Sequence, residues 1–173
     1  RSLGDRCIVS RGGWPHVVVN AGSYGNIIRI LQSPGYVVLT HEMIHETRII
    51  PVDGRTHISQ GIRQYLGDPR GRWEGNTLVV EVTNFSDKTD FRGSHETLRL
   101  VERFTRVGPD VISYTVTIDD PATFTRPWTI GVPLKSDTGQ TEIFEYACHE
   151  GNYAMRNILS GARADEKAAT RSK

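Results

Sequence analysis

Tyr36-Val37-Val38-Leu39-Thr40-His41-Glu42-Met43-Ile44-His45-Glu46-Thr47-Arg48-Ile49-Ile50-Pro51-Val52 is the stretch whose backbone conformation decides the class of this chain. Its centre, His41 to His45, matches the H-E-x-x-H pattern of zinc metalloproteases, where a helix stacks two histidines one turn apart around a metal and the glutamate activates water. On a strand the same two positions lie about 13 Å apart, too far to share one ion at about 2 Å from each ring. The flanks favour the strand. Val37, Val38, Thr40, Ile44, Thr47, Ile49 and Ile50 are β-branched, Ser33-Pro34-Gly35 opens the run and Pro51 closes it. A third ligand is also badly placed, because His57 follows across a Pro-Val-Asp-Gly turn and no metzincin spacing is present.

Read as one strand over 36–52, the odd residues from Val37 to Ile49 share one face and the even residues from Val38 to Ile50 share the other. Both faces mix polar and apolar groups, as the wall of a ligand cavity does. Glu42, Glu46 and Arg48 on the even face also form a plain salt-bridge ladder. Imidazole as a side-chain type titrates near neutral pH, which makes His41 and His45 acid-base candidates. Together with Met43 they form a soft stripe of the kind that holds copper.

Outward from this stretch, further β-rich runs cover 17–19, 27–31, 76–85, 97–107, 111–118, 128–134 and 142–148. Gly108-Pro109-Asp110 and the Gly139 region read as tight turns that join neighbours antiparallel. About eight strands in a meander must curl or close to protect their edges. The expected fold is therefore mainly β, an antiparallel meander closing into a barrel or strongly curved sheet, lipocalin-like by analogy. Short helices are expected at 58–66, stopped by Gly67, and near the C-terminus. Residues 1–160 read as a single β domain and 161–173 as a loose polar tail.

The 173 residues suit one domain. With 37% hydrophobic and 24% charged residues the chain is not a disordered tail. Lys plus Arg number 21 against 20 acidic residues, so no charge surplus points to nucleic acid. Apolar runs end after about four residues, whereas a spanning helix needs about twenty, so no membrane insertion is expected. The first residue is Arg1 and not methionine, so any signal peptide or leading segment is expected to have been removed or to lie outside this sequence. Arginine supplies 17 of the 21 basic residues. That bias suits fixed ion pairs and, secondarily, recognition of carboxylates or sugars.

Cys7 and Cys148 sit near opposite ends of the chain. They are either two buried thiols or a bridge that closes most of the chain, adding roughly 4 kcal/mol. Neither belongs to a C-x-x-C pair. Near Cys148, His149 and Glu150 end the last run, beside Asn152 and Tyr153. Trp14, Trp73 and Trp128, with Tyr24 and Tyr65, serve as core or as a stacking platform for rings. Asn84 and Arg92 lie beside strand ends, where loops carry function. No Gly-x-Ser-x-Gly, Walker or dinucleotide-binding string occurs.

Five strings together resemble an uncharacterised family of exported bacterial proteins: 33–38 (SPGYVV), 42–46 (EMIHE), 71–75 (GRWEG), 100–106 (LVERFTR) and 146–153 (YACHEGNY). The likeness spans nearly the whole chain. It implies that the chain is the C-terminal part of such a protein, exported to the periplasm or beyond, with Cys7 and Cys148 joined in a disulfide. It implies no particular reaction.

These readings converge on an exported β-barrel protein that binds a small organic molecule or saccharide, without a cofactor. If it is an enzyme, metal-free hydrolysis, elimination or isomerisation is expected, with Glu42, His45, Arg48 and His149 as the catalytic candidates. The ligand-binding candidates are His41, His57, Trp73, Asn84, Arg92, Trp128 and Tyr153. The alternatives are a secreted binding or structural module without turnover, and a zinc-dependent hydrolase using His41 and His45.

Overall fold

The computed structural model of the protein describes residues 2–9, 25–89, 91–137, 139–140 and 142–171. Trp14, Tyr24 and the run expected at 17–19 lie outside them. Among the described residues there are eight strands, antiparallel to their neighbours within each sheet: β1 (Ile28–Ser33), β2 (Tyr36–His41), β3 (Thr47–Pro51), β4 (Asp68–Glu74), β5 (Thr77–Thr83), β6 (Arg99–Arg106), β7 (Val111–Asp119) and β8 (Trp128–Lys135). A C-terminal helix, α1 (Ala154–Arg171), follows. The strands form two sheets, β1-β2-β3 and β4-β5-β6-β7-β8, each with sequential neighbours paired.

The stretch 36–52 is extended at both ends but not through its middle. His41 closes β2, Met43–His45 make one 3-10 turn, and β3 returns antiparallel with Thr40 opposite Thr47. Ile44 and His45 both take φ of 56°, in the left-handed region that bulky residues rarely enter. The reversal is locked by the His41 N–H donating to the Glu46 carbonyl at 2.8 Å. It also shifts the phase of burial. Val37, Leu39, His41 and Met43 face inward before the turn, whereas Glu46, Arg48 and Ile50 do so after it. The expected continuous strand with constant faces is thus corrected to a hairpin, and Arg48 leaves the outer ladder for the core.

Alternation works well elsewhere. Leu78, Val80 and Val82 on β5, Leu100 and Phe104 on β6, and Tyr114, Val116 and Ile118 on β7 join Val37, Leu39 and Ile50 of the other sheet in one core. At about 25 cal/mol per Å² of apolar surface, this shared core is the main stabilising term. Two glycines permit particular backbone approaches. Gly75, φ +60°, opens the two-residue turn between β4 and β5, where a side chain would be strained. At Gly71 a Cβ would meet Val52 Cγ1 at 2.8 Å and Ile50 Cγ2 at 2.9 Å, so β3 and β4 touch only because that atom is missing.

No closed barrel is found among the described residues. β3 and β4 meet by packing and are not neighbours in either sheet, and among the described strands β8 pairs with β7 alone. Pro51 at the end of β3 and Pro133 within β8 each lack a ladder donor, a placement suited to edges. The strand expected at 142–148 is also not formed, so among the described residues nothing continues the sheet beyond β8.

Nor is the helix expected at 58–66 present. Its carbonyls are taken by Asn84, whose side-chain amide donates to Ile58 and Ser59 at 3.1 Å and to Ile62 at 3.3 Å. Gln64 makes an isolated bridge to Phe85, with its N–H on the Asn84 carbonyl and its carbonyl accepting from the Ser86 N–H, both at 2.9 Å. These tertiary bonds replace the i to i−4 pattern that a two-turn helix would need. At the C-terminus the correction runs the other way. Residues 161–171, expected as loose tail, continue α1, because Gly161 is the only strong breaker in an Ala-rich run.

Part of the arginine bias resolves into ion pairs among the described residues, with Arg48 on Glu102, Arg55 on Asp53, Arg70 on Asp68, Arg72 on Glu81 and Arg103 on Glu74. At the end of β7, buried Asp120 ties the β7–β8 connection. It accepts from Thr97 Oγ1 at 2.8 Å, Thr123 Oγ1 at 2.9 Å and the Ala122 N–H at 3.1 Å. Burial pushes this carboxyl up, but the donors outweigh burial and hold it below the usual carboxylate range. A depressed folded value stabilises above the unfolded value near 4 and is lost as pH falls through the folded one. Asp120→Asn is therefore expected to lower stability by about 1–2 kcal/mol at pH 7. Urea titrations of variant and parent should converge as pH drops from 4 towards 2.

Candidate functional site

Among the described residues β1 and β8 are edge strands of their sheets. A cleft of about 1110 Å³ lies between β1–β2 and β7–β8. Its walls are the apolar inward side chains Ile30 and Leu39 from the small sheet and Phe104, Ile112, Val132 and Leu134 from the large one. Its mouth is polar, with Trp73 and Asn76 from the β4–β5 turn, Asp110 from the β6–β7 turn, and Lys135 and Gln140 beyond β8. Arg106 also borders it but is committed to the turn, donating to the carbonyls of Gly108 at 3.2 Å and Pro109 at 2.9 Å. Among the residues expected to bind a ligand, Trp73 alone lines this cleft, with its ring half exposed.

Deeper in the core lies a charged network. Arg48 on β3 and Glu102 on β6 are 3% and 0% exposed, and they pair in a fork, Nη1 to Oε1 at 3.1 Å and Nη2 to Oε2 at 2.5 Å. The Tyr114 hydroxyl adds a third bond, donating to Glu102 Oε1 at 2.8 Å. Burial, followed by the Glu102 charge, pushes this phenol well above its usual value, so the ring keeps its proton and serves as a donor. Arg48 therefore acts across the sheets on Glu102, away from solvent. Glu102 was legible as a charge at an inward position between Leu100 and Phe104, a signal the strand pattern alone contains.

The H-E-x-x-H residues diverge. His41 is 1% exposed and inward, Glu42 is half-buried, and His45 is exposed at the left-handed end of the turn. No α-helix stacks position 41 over 45. Among the described residues, neither imidazole belongs to a group of three His, Cys, Asp or Glu side chains whose ligating atoms lie within 4.8 Å of one another.

A histidine–carboxylate pair does form elsewhere. His57 Nδ1 lies 2.8 Å from Asp68 Oδ2, which also accepts the Ile58 N–H at 3.0 Å, while Arg70 Nη1 donates to Oδ1 at 2.6 Å. The carboxylate is buried and fixed by the guanidinium, and the imidazole is about a third exposed. Such an arrangement sets Nδ1 as the donor and leaves Nε2 as the basic nitrogen.

Asn84 is spent on the 58–62 loop, and Arg92 is exposed in the reversal between Phe91 and Ser94. Trp128 packs on Phe91 at 6.2 Å and edge-on to Phe124 at 5.5 Å, a core role. Tyr153 is exposed ahead of α1. Cys7 and Cys148 are joined in a disulfide, and His149 Nε2 lies 3.2 Å from Cys7 Sγ. His149 thus stands at the bridge, not at the cleft.

Comparison of the chain with family profiles, with curated proteins and with solved structures finds no match in any of the three.

Proposed function

We propose that this chain is an exported small-molecule-binding protein whose guest sits in the cleft between the sheets. The observation that carries the reading is the cleft itself, about 1110 Å³ with apolar walls and a polar mouth. That combination desolvates the body of a guest while a few donors and acceptors orient it. The guest is a small organic molecule or a saccharide with an apolar face, for which the exposed ring of Trp73 offers a stacking surface. Export is supported by the disulfide, since such bridges persist in oxidising compartments. No described helix is long and apolar enough to cross a membrane.

The test uses an apolar fluorescent probe, anilinonaphthalene sulfonate, titrated into the folded chain. One molecule per chain is expected, with affinity reduced at least tenfold by Ile30→Trp, which fills the cleft, and unchanged by His45→Ala. Absence of saturable binding, or an unaltered affinity in Ile30→Trp, would remove the proposal. A second reading, metal-free proton transfer, is favoured by one observation, the His57–Asp68 pair with its ring about a third exposed. It moves the acid-base role away from Glu42 and His45. Any turnover found should then be lost in His57→Gln and kept in His45→Ala.

A further inference from the structure

One group of three potential ligand atoms converges among the described residues outside the cleft: the sulfurs of Cys7 and Cys148 and a ring nitrogen of His149, all within 4.8 Å of one another. We propose that this corner is a redox-gated metal site, closed while the disulfide stands and, once reduced, holding a thiophilic divalent cation such as zinc through both sulfurs and the His149 imidazole.

The bridge accounts for the nearness of the sulfurs but not for the imidazole. His149 is exposed, so burial does not force its ring inward, yet Nε2 comes to 3.2 Å from Cys7 Sγ. The compact turn that contains it is set by backbone bonds, Cys148 N–H to the Tyr146 carbonyl at 2.9 Å and Glu150 N–H to Ala147 at 3.2 Å. Two thiolates and one imidazole form the soft, borderline donor set that zinc prefers. Tetrahedral zinc, with bonds of about 2.3 Å to sulfur and 2.0 Å to nitrogen, needs its ligand atoms about 3.5–3.8 Å apart. The Cα atoms of Cys7 and Cys148 are 6.4 Å apart, which leaves the sulfurs room to part by that amount without moving the main chain far. Three protein ligands leave the fourth position to water or an incoming group.

The chemistry balances as follows. A phosphine reductant attacks one sulfur, the S–S bond breaks, and water supplies the oxygen that ends on phosphorus. Two electrons and two protons pass to the cysteines, giving two thiols and one phosphine oxide. The dication then binds both sulfurs and releases the two thiol protons to solvent. The metal link replaces the covalent one, and it joins the same two ends of the chain.

The full chain, oxidised or reduced with a water-soluble phosphine, is titrated with Co²⁺ and then with Zn²⁺. The reduced chain should bind one Co²⁺, show thiolate-to-cobalt charge-transfer absorption, and lose it to zinc. The oxidised chain should show none. Zinc should raise the thermal midpoint of the reduced chain only, and should restore folded circular dichroism if reduction alone unfolds it. Loss of a direct ligand should weaken binding at least as much as loss of an outer partner does, so His149→Ala should cost about tenfold or more, while His45→Ala should cost nothing. A reduced chain without cobalt absorption, zinc that leaves its midpoint or fold unchanged, or His149→Ala that binds like the parent would each overturn the proposal.

Discussion

Arg48→Ala is expected to lower the stability of the folded chain by about 3–5 kcal/mol, because it strands the Glu102 carboxylate in the core with only the Tyr114 hydroxyl for company. The cost arises on the partner that remains. Glu102 is 0% exposed, so in the parent no bulk solvent stands beside it to replace the guanidinium. Removing both charges together should be far less damaging. In Arg48→Met/Glu102→Leu the desolvation of two ions disappears along with their attraction, and replacing such pairs by apolar side chains of similar volume is often neutral or better. Urea unfolding of the two single variants, the double variant and the parent closes the cycle. A single variant within about 1 kcal/mol of the parent would show that the pair is solvated and that the two sheets do not seal over it.

Breaking the Cys7–Cys148 bond, by reduction or by Cys148→Ser, is expected to cost about 2–5 kcal/mol. The two cysteines are 141 residues apart, so the bridge restrains nearly the whole unfolded chain. Most of the effect therefore belongs to the unfolded ensemble, which expands when the link is gone. Reduced parent and Cys148→Ser should unfold at the same lower denaturant midpoint, and the dependence on denaturant should steepen as more surface becomes exposed. Equal midpoints for oxidised and reduced chains would contradict this account. Metal must be excluded from these measurements, since zinc at the reduced corner would mask the loss.

How far residue order reaches can be seen at particular places. The alternating runs read at 97–107 and 111–118 became β6 and β7, since period 2 is an intrinsic property of the extended chain, although Val101 and Glu102 break the apolar-polar alternation of the first. The same rule misread 36–52, because apolar residues lie at both phases and nothing local announces that Ile44 and His45 take positive φ. Contacts made by Gly25, Ile27 and Glu46 with the turn's backbone hold it there. Similarly, 58–66 has helix formers, yet Asn84, some twenty residues away, captures its carbonyls. Local preference of about a kilocalorie per residue is easily overruled by buried hydrogen bonds.

By itself the order of amino acids determined that this is an antiparallel β protein, with strands where β-branched residues alternate and turns where Gly and Pro stand, and it placed the two cysteines as possible partners. Only the tertiary structure decided that the meander divides into two sheets with a cleft between them. It also decided that Arg48 meets Glu102, that His57 meets Asp68, and that His149 turns toward the bridge. The division has a physical cause: strand periodicity is encoded within a few neighbouring residues, whereas each of those meetings joins segments whose approach depends on how the whole core packs.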